Sequence, residues 1–176
     1  MGTVYGEIDA RRSSLFKAWR ACFDGGSESA FPVAAGKAGR FSNPAAYLAD
    51  ECASDVLAWL ADAGEEADIP ASVADWCRLR AVQETDQAHA LRPLLDLKQV
   101  VRDAVGVAAG DEELASVDER IDALGRYASD RYVESREKLN QIRLDEMQRG
   151  EGLMNRRLAR ERARREGDAV GGSSAP

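Results

Sequence analysis

DEELASVDERIDALGRYASDRYVESREKLNQIRLDEMQR, residues 111–149, decides the fold class. Within it Val117, Ile121, Leu124, Ala128, Tyr132, Ser135, Leu139 and Ile142 step by 4, 3, 4, 4, 3, 4 and 3. Those steps average near the 3.6-residue helical repeat, so the stripe holds one side for many turns. Asp111 sits where a cap belongs, and Glu112 and Glu113 place acid in the first turn, where the helix dipole favours it. A helix from Asp111 to Arg149 would be about 58 Å long. Gly150 and Gly152 weaken it, and LMNRRLARERARRE predicts a basic helical arm over 150–166. GDAVGGSSAP is tail by composition, so residues 167–176 are expected to be disordered.

Working backwards, residues 86–105 put Leu94, Leu97, Val101, Ala104 and Val105 on one face, with Pro93 inside. A proline there cannot bond the His89 carbonyl, which predicts a kink. A helix opening near Asp68–Pro70 carries Val73, Trp76 and Cys77 as a stripe whose next member is Arg80. Asn43 and Pro44 read as a helix start, because Asn caps free amides and Pro suits the first helical position. Leu48, Cys52, Val56, Trp59 and Leu60 follow, with Gly64 as a stop. The first helix is expected over 13–23, from Leu15, Phe16, Trp19, Cys22 and Phe23. Residues 25–42 read as a loop with a turn near Val33–Lys37, and residues 1–12 as a flexible N-terminus. No strand run and no internal repeat stand out. The expectation is an all-α bundle of about five main helices, globin-like or related, closed by a long C-terminal helix.

A chain of 176 residues suits one domain, here 13–149, followed by the arm. The net charge of −7 divides unevenly: residues 149–166 carry +4 from seven arginines and three glutamates and Asp168 carries −1, leaving −10 on residues 1–148. An acidic body argues against general nucleic-acid binding. Arg156, Arg157, Arg160 and Arg164 are the candidate basic contacts of the arm, with a solvated helix as the plainer reading. Three scattered cysteines do not make a disulfide framework, so a reduced, cytoplasmic setting is expected. MGTVYGEIDARRSS has no apolar segment of the signal-peptide kind, and no run approaches the ~18 apolar residues of a membrane span.

Chemistry is sparse. The single histidine, His89, leaves only a one-ligand haem site open, beside its reading as an ordinary helix residue. Cys52, Cys77 and His89 lack metal-site spacing. No GxxxxGK[ST], no GxGxxG after a strand and no GxSxG occur, so no enzyme, metal or cofactor is expected. Arg80 has two readings: a structural arginine with its stem packed on apolar surface and its head paired with a carboxylate or helix-end carbonyls, or a switch or contact point in signalling. Gln83, one turn on, lies on the same side.

RFSNPAAY (40–47), RLRAVQETDQAHALRPLLDLKQVVRDAVG (78–106) and DERIDALGRYASDRYVESREKLNQIRLDEMQR (118–149) together resemble the N-terminal domain of RsbRD, the RsbT co-antagonist family of stress signalling. The likeness spans about residues 13–149. After RAVQ the family pattern runs through an aromatic joint, where ETDQAHALRP is more polar and carries Pro93. The resemblance implies an all-α sensory module of the non-haem globin-like kind, which dimerises and passes a signal through its final helix into a STAS domain. The 27 residues after Arg149 are too few for a STAS domain, so a stand-alone member is expected. Such members are similar to proteins found beside respiratory redox complexes, which points to a protein partner of that kind or one in stress signalling. Carried onto this chain, the motif supplies Asn43 and Pro44 as helix start and Arg78, Arg80 and Gln83 as a polar joint. In the last helix Asp122, Tyr132, Arg136, Glu137 and Arg143 match. From these residues Arg80 is expected to pair across the core with Asp122.

Overall fold

A computed structural model describes residues 3–24, 43–62, 68–106 and 109–171. Six helices make up these residues, with no strand among them: α1 (Val4–Ala10), α2 (Arg12–Asp24), α3 (Pro44–Ala61), α4 (Ala71–Gln83), α5 (Gln87–Val105) and α6 (Asp111–Gly171). The protein is an all-α helical bundle with a long C-terminal helix. The turn expected near Val33–Lys37 and the stop at Gly64 lie outside the described residues.

Local chemistry sets the helix ends. Asn43 accepts a hydrogen bond from the Ala46 N–H at 3.1 Å, and Pro44 occupies the first turn, where its missing donor costs nothing. Asp86 caps α5 by accepting from the Ala88 N–H at 3.0 Å. Pro93 lies within α5, and its carbonyl accepts the Trp19 indole N–H at 2.6 Å. That bond satisfies the polar edge of a fully buried indole. Trp19, Phe23 and Trp76 then meet edge to face, with centroids 5.3 and 5.2 Å apart, which joins α2 to α4.

The N-terminus corrects the expectation of a flexible lead. Thr3 caps α1 through the Gly6 N–H, and Val4 and Ile8, one turn apart, are completely buried in a helix that touches α3 and α5. A seven-residue helix is marginal alone, so docking holds it. Two apolar residues in a stretch containing glycine leave little pattern to read. The tail is corrected too, since α6 continues through Gly167 to Gly171; residues 172–176 lie outside the described residues.

The chain divides into two compact units, Met1–Arg136 and Glu137–Pro176. In the first, Val117, Ile121, Leu124, Ala128 and Tyr132 of α6 are buried. In the second, Ile142, Leu144, Met147, Leu153, Met154 and Leu158 are exposed. The stripe predicted from 117 to 142 is therefore a core face only as far as Tyr132. Ile8→Ala should cost about 2–5 kcal/mol in chemical denaturation, the range for emptying a buried Ile site; a cost below 0.5 would mean that α1 is not docked.

Candidate functional site

The polar centre of the first unit is the joint at Gln83–Gln87, where α4 ends and α5 begins. The last carbonyls of a helix lack intrahelical donors, and when an end is buried something else must supply them. The chain uses arginine. Arg80, only 6% exposed, sends Nε to the Ala90 carbonyl of α5 at 3.5 Å and Nη1 to Gln83 Oε1 at 3.3 Å. Its guanidinium lies 5.8 Å from the Trp76 ring centroid, so the buried charge has a π face as well. A leucine at this position would complete the stripe but give up both hydrogen bonds and the contact with the Trp76 ring. Burial lowers the Arg80 pKa, and Glu84 and Tyr132 nearby oppose that shift.

Glu84 shapes the turn. Its Oε1 accepts from the Thr85 N–H at 2.8 Å and the Asp86 N–H at 3.1 Å, while Oε2 lies 3.6 Å from His89 Nδ1. The Asp86 N–H first, then the Thr85 N–H, His89 and Arg80, holds this carboxyl below the usual carboxylate range against a smaller desolvation effect. Helix α6 closes the joint. Tyr132 donates its hydroxyl to the Glu84 carbonyl at 2.8 Å, and Arg136 Nη1 donates to the Ala81 carbonyl at 2.9 Å. Gln87 Nε2 also reaches Ser129 Oγ. Beside the joint, a groove of about 500 Å³ is lined by Gln87, Leu91, Leu94, Leu95, Gly125 and Ser129 among others.

Of the residues singled out from sequence, Arg80, Gln83 and Arg136 come together here. Arg78 does not: it is 68% exposed and pairs with Asp75 at 3.0 Å on its own helix. Asp122 does not either. It is 51% exposed and pairs with Lys98 of α5 at 2.7 Å, so the expected Arg80–Asp122 bridge is corrected. The reason is axial: Asp122 lies ten residues, about 15 Å, before Tyr132, the α6 residue at the level of the joint. Arg156, Arg157 and Arg160 are exposed on the second unit, with Arg157 paired to Glu161 at 3.2 Å. Arg164 lies where no side chain is described. Asn43 and Pro44 start α3 and take no part in the joint.

Sequence reading missed a second tie of the same kind. Arg120 caps the end of α3, donating to the Trp59 carbonyl at 2.8 Å and to the Asp62 carbonyl. It stacks 4.6 Å from the Trp59 centroid and 5.7 Å from that of Tyr5, whose hydroxyl meets Ser116 Oγ at 2.9 Å. Arg11 similarly reaches the Ala104 carbonyl near the end of α5. One signal was available: α3 has no basic residue in its last turn.

The Cys52 and Cys77 thiols are placed as filler, and Cys22 is half-buried. Burial pushes Cys77 up to about 12, and Cys52 is raised further by burial and then by Cys77, Asp55 and Glu51. A thiol held neutral in this way is a poor nucleophile. Among the described residues no group of three or more His, Cys, Asp or Glu could hold a metal ion, and no helix is long and apolar enough to cross a membrane.

Set against protein-family models, curated proteins and solved structures, the chain finds no match.

Two measurements check the joint. A double-mutant cycle between Arg80→Ala and Asp122→Ala should give a coupling within about 0.5 kcal/mol of zero, while Arg80→Ala alone costs about 1–3 kcal/mol through the hydrogen bonds and packing it removes. The lowered Glu84 pKa sets the sign of the pH effect: its stabilisation is present above the unfolded-state value and lost as pH falls through the folded one. The stability gap between wild type and Glu84→Gln should thus stay flat above pH ~5 and narrow below about 4.5. A gap that widens on acidification would refute the assignment.

Proposed function

We propose that the chain is a non-enzymatic signalling module that works through helix surfaces, in the manner implied by its resemblance to the RsbRD N-terminal domain. Its partner is a protein of stress signalling or one belonging to a respiratory redox complex. The observation that carries this reading is the α4–α5–α6 joint. There the bundle holds α6 by hydrogen bonds from Tyr132 and Arg136 to helix-end carbonyls, not by apolar packing alone. Directional bonds of that kind have a small number of alternative arrangements, which suits an element with two states. The same helix α6 continues beyond Arg136 into the exposed second unit, so one element carries both the joint and a contact surface.

A small-ligand sensor of the globin-like kind is the second reading, favoured by the groove of about 500 Å³ beside the joint. That volume falls within the roughly 300–1,000 Å³ of small-molecule sites.

Affinity capture from the source cells with the full chain tests the first reading. Wild type and Asp122→Ala should retain the same protein, and Tyr132→Phe combined with Arg136→Met should retain it at least tenfold less while staying folded by circular dichroism. Equal capture by all three would refute a role for the joint. A Soret band in the purified protein would move the assignment to the sensor.

A further inference from the structure

The charge division of the chain has a structural counterpart on α6. In the second unit Arg149, Arg156 and Arg160 fall at steps of 7 and 4, which places them on one helix face. All three are exposed, and none has an ion-pair or hydrogen-bond partner among the described residues. In the first unit Glu119 and Asp130, also on α6, are exposed and equally without a partner among the described residues. Glu119 and Asp130 are 11 residues apart, and so are Arg149 and Arg160. On an α-helix that interval is about 16.5 Å, three turns, and returns to nearly the same face.

We propose that the arm docks on a second copy of this chain, lying along the outer face of that copy's α6 between Glu119 and Asp130. Charge complementarity selects the occupant, because the arm carries +4 and residues 1–148 carry −10. Three glutamates interleave with the arginines of the arm, and no aromatic residue lies beside them, which disfavours a nucleic acid. The direction follows from Arg126, which shares the acidic face. A parallel alignment that matches Arg149 to Glu119 and Arg160 to Asp130 also sets Arg156 against Arg126, cation to cation. The antiparallel alignment matches Arg149 to Asp130 and Arg160 to Glu119. It then brings Arg126 level with Leu153, whose exposed side chain can cover the arginine stem. This deepens the interaction reading and rests on it only in treating the arm as a contact surface.

Sedimentation equilibrium of the full chain tests it without any other protein, so failure here leaves the search for a heterologous partner untouched. Wild type should self-associate at low ionic strength and weaken at least tenfold when salt is raised to 0.5 M, since solvent-exposed pairs are screened. Arg149→Glu with Arg160→Glu should be monomeric, as should Glu119→Arg with Asp130→Arg, and an equal mixture of the two should associate again. For direction, Arg149→Glu mixed with Asp130→Arg should recover association, and mixed with Glu119→Arg should not. All substituted positions are exposed, and circular dichroism checks that each variant folds. A monomeric wild type at low salt would overturn the proposal. So would association that survives arm reversal, a mixture that stays monomeric, or association abolished by nuclease.

Discussion

The buried end of a helix is the constraint on which this bundle turns. Each helix leaves carbonyls without donors in its last turn, and packing several helices closely brings some of these ends to places where water has only partial access. An unpaired buried acceptor costs about 1–3 kcal/mol, a large fraction of a domain's net stability. The chain answers with guanidinium groups from other elements. Arg136 serves the part-buried end of α4 and Arg120 that of α3, Arg11 reaches the more exposed end of α5, and Arg80 spans from α4 to the first turn of α5. Arginine suits the task because its planar fork offers five donors and its stem tolerates apolar surroundings.

That device explains why burial and charge coexist at Arg80. The stripe Val73–Trp76–Cys77 is apolar because it faces Phe23 and the rest of the core, and it becomes charged at the turn where the backbone itself becomes the acceptor. Tyr132 marks the same transition on α6. Its ring ends the buried stripe begun by Val117, and its hydroxyl meets the Glu84 carbonyl.

Legibility in the sequence followed the range of the physics. The helices α2 to α6 could be read because periodicity and caps are local: Asn43 acts on an amide three residues away. Arg80 could be flagged because it interrupts a local stripe, and Gln83 because it lies one turn on. Which backbone carbonyl accepts from Arg80 could not be found, since backbone groups carry no residue signature, and of the two kinds of partner open to it the carboxylate of Asp122 was the one expected. Arg120 could not be distinguished from the solvated polar residues around it, because its partners Trp59 and Tyr5 lie 61 and 115 residues away in the chain. α1 escaped for the opposite reason, its stability residing almost wholly in what it docks against.

Gly150 and Gly152 gain a further meaning from their surroundings. A Cβ added at either would meet nothing within 4 Å, so neither glycine makes room for a neighbour or for a tight backbone approach. Each nevertheless lowers the helical preference of its position by about 1 kcal/mol relative to alanine. Two such residues, separated only by Glu151, weaken the interior of α6 at this point. Arg149 precedes this stretch while Arg156 and Arg160 follow it, so the alignment of all three on one face depends on the helix staying wound through both glycines.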